Sequence, residues 1–89
     1  MAEADKQLQE IGRVVGFFAH PSAAVIELTK GKLKAGERIY IKGHTTDLQQ
    51  VVQSLQIDRQ PIAEAKAGQT IGIKVDDRVR HNDVVYKVS

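Results

Sequence analysis

The residue types that carry out chemistry in proteins are sparse in this sequence. It has no cysteine, which excludes a thiol nucleophile, a disulfide framework and a cysteine-ligated metal. The three histidines, His20, His44 and His81, fall in three separate predicted turns, and their spacing matches no metal-binding motif. Asp76 and Asp77 are adjacent, so on a strand they would point to opposite faces and could not act as a paired acid and base. We expect no catalysis, no metal site and no cofactor.

Two further signatures of catalysis are missing. The pattern GxxxxGK[ST] does not occur, so the chain has no phosphate-binding loop and we expect no nucleotide hydrolysis. Ser22, Ser54 and Thr70 lie in no GxSxG-like context that would activate a hydroxyl group. The sequence therefore predicts a protein that binds rather than an enzyme.

Positive charge is concentrated in one turn and the strand after it. This basic cluster holds five of the 13 basic residues: Lys30, Lys32, Lys34, Arg38 and Lys42. Strand alternation predicts that Arg38, Tyr40 and Lys42 share an outward face, with Ile39 and Ile41 pointing inward. Such a patch would suit the phosphates of RNA or DNA. The alternative is that lysines at a sheet edge keep the sheet soluble and discourage aggregation.

Length and composition indicate one small domain. The chain has 89 residues and a net charge of +2, with 42% hydrophobic and 27% charged residues. Its first ten residues lack the basic and apolar regions of a secretory signal, and no apolar run is long enough to cross a bilayer. We expect a cytoplasmic protein without membrane contact, with a polar lead-in over residues 1–9 and a single domain over 10–89.

Alternation of apolar and polar residues predicts a small all-β fold. Period-2 patterns mark strands near residues 11–18, 24–28, 38–42, 71–75 and 84–88, separated by glycine-containing turns. The segment 46–58 is ambiguous: Leu48, Val51, Val52 and Leu55 have helical spacing, and a long strand is the alternative. Five or six short strands favour a small closed antiparallel β-barrel of about six strands.

Four motifs in a fixed order carry a family resemblance. They are GKLKAGE at 31–37, SLQI at 54–57, AKAGQTIGI at 65–73 and NDVVY at 82–86. Together they resemble the second-domain β-barrel of the translational GTPases, as in elongation factor Tu and initiation factor two, over residues 11–88. The resemblance implies a long strand over 46–57, and it implies tight turns that place Gly36, Gly68 and Asn82 at positive φ.

The same resemblance implies a function in translation. In the elongation factors this barrel helps to hold the end of charged tRNA with an acidic, an apolar and a basic residue. Gln56 and Asp58 replace the first two here, and Arg59 agrees with the third. We therefore expect a module without a GTPase domain that binds tRNA or ribosomal RNA, through the basic cluster or through Gln56 and Arg59.

The alternative is a protein-interaction barrel that docks to a larger enzyme or factor and has no RNA role. A similar barrel is appended at the C-terminus of some collagenase-like peptidases, although their peptidase motifs are absent here. The near-neutral net charge and the scarcity of aromatic residues favour this alternative.

Overall fold

The computed structural model describes residues 8–20 and 22–88, which form short strands linked by turns, with no helix in these ranges. The strands are β1 (Leu8–Ala19), β2 (Ser22–Leu28), β3 (Lys32–Lys34), β4 (Arg38–Lys42), β5 (Asp47–Val51), β6 (Leu55–Ile57), β7 (Gln60–Ile62), β8 (Glu64–Lys66), β9 (Thr70–Lys74) and β10 (Val84–Val88). Leu8 and Gln9 of the expected lead-in belong to β1, and residues 1–7 lie outside the described residues.

All strand pairs are antiparallel and belong to two sheets. One sheet has the order β5-β4-β10-β1-β2-β9-β6-β7, and the other pairs β3 with β8. The prediction of an all-β antiparallel fold is confirmed. The prediction of a closed barrel of about six strands is wrong, because the eight-stranded ladder is open between its end strands β5 and β7.

A side chain, rather than a backbone ladder, links β5 to the end of β9. Gln50 is 7% exposed. Its Nε2 donates to the carbonyl oxygen of Lys74 at 2.9 Å, and its Oε1 accepts from the N–H of Asp76 at 2.8 Å. One amide group thus satisfies a backbone acceptor and a backbone donor that regular strand pairing leaves open.

The ambiguous segment is extended, but it is not one strand. It is split into β5 and β6 by residues 52–54. Val52 is buried at the break, where its N–H donates to the carbonyl of Glu37 and its carbonyl accepts from the N–H of Gly36. The helical spacing of the segment misleads, because side chains from both sides of this break enter the core.

The core consists of aliphatic side chains from both sheets. Its largest fully buried members are Ile11, Val14, Ile26, Leu28, Leu33, Ile39, Ile41, Val52, Leu55, Ile71, Val75 and Val79. The alternation of β4 points Ile39 and Ile41 inward, as predicted, while Arg38 and Lys42 stay exposed.

Three four-residue turns have the same construction. They span residues 34–37, 66–69 and 80–83, and their third residues have positive φ, as predicted: 96° at Gly36, 95° at Gly68 and 76° at Asn82. In each turn the N–H of the fourth residue donates to the carbonyl of the first. The side chain of the fourth residue returns to accept from the N–H of the first, at 2.7 to 2.8 Å. Glycine or asparagine at the third position is what a type II turn demands.

Each of these turns also forms two backbone hydrogen bonds with a buried residue from a distant part of the chain. The N–H of the third turn residue donates to the carbonyl of the distant buried residue. The N–H of the buried residue donates in return to the carbonyl of the fourth turn residue. The buried residue is Val52 for the first turn, Leu28 for the second and Val14 for the third, and the N···O distances are 2.7 to 2.9 Å. We call these three units turn clamps.

Two bulges in β1 decide which of its side chains face outward. The register slips between Glu10 and Gly12 against β10, and between Val14 and Gly16 against β2. Simple alternation predicts Val14 and Phe18 on the same side, whereas the structure buries Val14 and leaves Phe18 61% exposed. A bulge adds a residue on one strand and so reverses the facing of those that follow.

Candidate binding groove

A row of five paired residues, two of them glycines, crosses the outer face of the large sheet. Gly16 of β1 lies opposite Val25 of β2, which lies opposite Gly72 of β9. Gly72 in turn lies opposite Gln56 of β6, and Gln56 opposite Pro61 of β7. A Cβ atom added to Gly72 would meet no atom within 4 Å. This glycine row is therefore a trough in the pleated surface, because two of its five positions carry no side chain.

Two further rows of paired residues flank the glycine row. Phe18, Ala23 and Lys74 are paired along one side. Along the other side Arg13 and Glu27 are paired across strands and joined by an ion pair of 3.3 Å. A groove that includes Val25, Gly72 and Gln56 of this row has a volume of about 600 Å³. Its lining comprises Phe18, His20, Ala23, Ala24, Val25, Gln56, Asp58, Arg59, Thr70, Ile71 and Gly72.

A strained hairpin turn forms one end of the groove. β6 and β7 are joined by Asp58 and Arg59, whose φ angles are 52° and 65°. Two successive positive φ values define the type I′ hairpin turn, which favours asparagine, aspartate and glycine. An arginine in this conformation costs about 1–2 kcal/mol. Strain of this kind at a cleft is an indication of functional constraint.

The polar side chains of the groove have unused hydrogen-bonding capacity. Within residues 8–20 and 22–88, the side chains of His20, Gln56, Asp58 and Arg59 make no hydrogen bond or ion pair with one another or with other described residues. The same ranges contain no group of three histidine, aspartate or glutamate side chains that could hold a metal ion. The groove offers donors and acceptors to a ligand.

The predicted site residues are divided between separate parts of the molecule. Gln56 and Arg59 lie together in the groove. Arg38, Tyr40 and Lys42 lie on the outer face of β4, as predicted, and Tyr40 stacks on Tyr86 with 6.2 Å between ring centres.

The rest of the basic cluster belongs to the small sheet. Lys32 and Lys34 are in β3, Lys30 lies in the turn before it, and all three are exposed. The five basic residues thus form no single strand face.

Sequence reasoning did not find Phe18, His20 and Gly72 as groove residues. The available signal was a glycine inside a predicted strand, which often marks the close approach of a ligand or another backbone. It could not be used alone, because the alignment of Gly16, Val25 and Gly72 across three strands depends on the bulges of β1 and on the order of the strands.

Curated relatives of this chain are proteases by name. No protein-family model matches the chain. An uncharacterized protease of Methanocaldococcus jannaschii is 45% identical over 78 residues, which are 86% of this chain and 19% of that protein. A collagenase of Porphyromonas gingivalis is 32% identical over 85 residues, or 94% of this chain and 20% of that protein. The chain spans about one fifth of the length of these relatives.

Solved structures with this fold include a peptidase domain and part of a translation factor. The C-terminal domain of a protein assigned to the U32 peptidases, from Geobacillus thermoleovorans, matches with a TM-score of 0.82 at 16% identity, covering 89% of this chain and 91% of that one. GDP-bound translation factor aIF5B of Aeropyrum pernix matches with a TM-score of 0.65 at 18% identity, covering 90% of this chain and 15% of that one. At these identities the similarity concerns the fold alone.

The expected role as a translation-factor-like module that binds tRNA or ribosomal RNA is wrong. Relatives that share 45% and 32% of their residues with this chain are a protease and a collagenase. The resemblance to translation factors is confirmed only as a similarity of fold to part of aIF5B. These findings favour the alternative, an accessory domain that docks to a larger enzyme. Among the described residues, no helix is long and apolar enough to span a membrane.

Proposed function

We propose that this chain is a non-catalytic accessory domain that docks to a larger peptidase. The observation that carries the proposal is the 45% sequence identity between this chain and the Methanocaldococcus jannaschii protease, of whose length the match covers 19%. The fold neighbour from Geobacillus thermoleovorans, a C-terminal domain of which this chain covers 91%, supports the view that the domain is a separate structural unit.

The chemistry of the groove supports binding rather than hydrolysis. Peptide hydrolysis requires an activated nucleophile or a metal-bound water, with a general base within hydrogen-bonding reach. Asp58 is exposed, and no hydrogen-bonded histidine, serine or threonine side chain accompanies it within the described ranges. We assign the catalytic groups to the larger peptidase.

A second outer face of the large sheet is suited to docking. It spans β1, β10, β4 and β5 along two rows of paired residues: Leu8, Val88, Arg38 and Val51 in one, and Tyr86 and Tyr40 in the next. We call it the tyrosine face. Leu8 is 50% and Val51 41% exposed, which places two large apolar side chains in water on one face. Glu10 and Asp47, which pair with Tyr86 and Lys42 on the same face, offset the charges of Arg38 and Lys42, so the exposed apolar side chains are what support docking here.

The test measures association with a peptidase that lacks its own copy of this domain. The Methanocaldococcus jannaschii relative would be prepared without the segment that matches this chain and mixed with it in sedimentation velocity and peptide-hydrolysis assays. We expect a complex, and hydrolysis that depends on the relative and not on this chain alone. Val51→Glu should weaken association about tenfold, equivalent to 1.4 kcal/mol, because it buries a charge in the contact.

The matched control is Lys66→Glu, an exposed change in β8 outside the tyrosine face, which should leave association unchanged. If the shortened relative does not fold, a chimera in which this chain replaces the matching segment should retain hydrolysis. Hydrolysis by this chain alone, or an inactive chimera that is folded, would contradict the proposal.

A further inference from the structure

We propose that the groove binds an extended segment of polypeptide substrate, with an apolar side chain against Phe18 and a carboxylate at Arg59. This inference rests on the proposed function, since a peptidase is what brings such a segment to the domain. It adds a ligand class and a site to that function, at a surface separate from the tyrosine face.

The size of the groove favours a short segment over the body of an enzyme. Its volume of about 600 Å³ lies in the range of small-ligand sites. A stable interface between folded bodies buries about 800 Å² on each partner, more than one such trough offers. A peptide backbone can lie close to the sheet at Gly72, because a Cβ atom added there would meet no atom within 4 Å.

The two ends of the groove differ in chemistry. Phe18 provides an exposed aromatic surface at the β1 end. At the β6 end Arg59 presents a guanidinium group, which recognises a carboxylate through two parallel hydrogen bonds. Gln56, between them, can donate to and accept from the peptide groups of an extended chain.

The charge balance favours an acidic ligand. Among residues 8–20 and 22–88, Asp58 is the one carboxylate that lines the groove, and Arg59 offsets its charge. Lys74 adds a positive charge next to Phe18 and Ala23. Glu27, on the opposite side, is already paired with Arg13. The surroundings of the groove are therefore net positive.

The strand spacing sets the distance between the two ligand side chains. From β1 to β6 there are three steps between neighbouring strands, about 14 Å at about 4.8 Å each. An extended peptide covers this distance in about four residues, at about 3.3 Å per residue. Phe18 pairs in the row of Ala23 and Lys74, whereas Arg59 follows Gln56 by three residues, so the two groups are also offset along the strands. The apolar and acidic side chains should therefore be at least four positions apart, at an even spacing that points both to the same side.

The experiment is a titration of the isotope-labelled chain, followed by NMR, with a capped pentapeptide of sequence Leu-Ser-Ala-Ser-Glu. Peptides ending in Gln or Lys instead of Glu are the matched probes. We expect amide shifts at Phe18, Val25, Gly72 and Arg59, and binding about tenfold weaker for the Gln peptide and weaker still for the Lys peptide. Equal binding of all three peptides, or shifts confined to other surfaces, would overturn the inference.

Two variants test the site itself. Gly72→Leu fills the trough at a position where a Cβ meets no neighbour, so we expect a folded protein that no longer binds the Glu peptide. Arg59→Gln should remove the preference for Glu over Gln while weak binding remains. Gln49→Leu, an exposed change on β5, is the control for added apolar surface and should bind as the parent does. Unchanged binding by both groove variants would overturn the inference, and if Gly72→Leu fails to fold, Arg59→Gln decides.

The proposed function and this inference can fail separately. A chain that binds the Glu peptide but never associates with the shortened relative would contradict the docking proposal and leave the groove assignment standing. If Gly72→Leu abolishes association with the relative while Val51→Glu does not, the groove is the docking surface and the substrate assignment is wrong.

Discussion

Gln50 holds together two strands that have no backbone ladder between them. Its amide bonds to the carbonyl of Lys74 and to the N–H of Asp76, and its side chain is buried. Replacing it by alanine leaves these two backbone groups without their partner. We expect Gln50→Ala to lower the free energy of unfolding by about 1–3 kcal/mol, measured by urea denaturation.

Gln49 provides the matched control for this prediction. It is the neighbouring residue of β5, exposed to solvent, and Gln49→Ala should change stability by no more than about 0.5 kcal/mol. Equal stability losses in the two variants would show that the buried amide has no special role.

Replacing Arg59 by glycine should stabilise the fold. Its φ of 65° costs an arginine about 1–2 kcal/mol, and glycine removes this strain at an entropic cost of about 0.4–1 kcal/mol. We expect Arg59→Gly to raise the free energy of unfolding by up to about 1 kcal/mol while it abolishes the preference for an acidic peptide. A clear loss of stability would mean that the arginine is not strained.

The glycine of a turn clamp should be sensitive to substitution. Gly68 has a φ of 95°, and a Cβ there would meet no atom within 4 Å, so the cost of Gly68→Ala is conformational rather than steric. We expect Gly68→Ala to lower the thermal midpoint, with a loss of about 1–2 kcal/mol. Gly72→Ala, equally uncrowded but in an ordinary strand, should be neutral or slightly stabilising.

Strands and turns could be predicted where the signal is local. The alternation of β4 and the glycine of the turn at Gly36 gave the right conformations, because each depends on a few neighbouring residues, whereas the positive φ of Asn82 was implied by the family resemblance. The break at Val52 could not be predicted, since its hydrogen bonds go to residues of another turn.

The candidate site was predicted in part for the same reason. Gln56 and Arg59 were identified through the family resemblance, as candidates for RNA binding, from the short stretch 56–59. Their neighbours Phe18 and Gly72 reach the groove through the register of four strands, and two bulges in β1 shift that register. No local pattern contains this information.

The stability of the whole molecule depends on a small aliphatic core. A domain of this size has a free energy of unfolding of about 5 kcal/mol. Ile73 is 2% exposed, and an aspartate there would bury an unpaired charge. We expect Ile73→Asp to unfold the protein, seen as loss of dispersed amide signals in NMR spectra. Lys74→Asp, the adjacent exposed change, should stay folded, and a folded Ile73→Asp would show that the inward face of β9 is misassigned.

At the scale of the whole molecule, the fold does not determine the function. The same architecture occurs in a U32 peptidase domain and in a translation factor, so recognition of the fold could not select between their functions. The relatives at 45% and 32% identity supplied the distinction, which the motifs of the turns alone did not contain.

The turn clamps also imply an order of assembly. Closing a loop costs entropy that grows with the logarithm of its length. The clamp between residues 36 and 52 closes the shortest loop, that between 28 and 68 a longer one, and that between 14 and 82 the longest. Among the three clamps, the one between residues 36 and 52 should therefore close first and the one between 14 and 82 last, so the contact that ties the β1–β2 hairpin to the turn before β10 should be the first of the three to open when the native protein fluctuates.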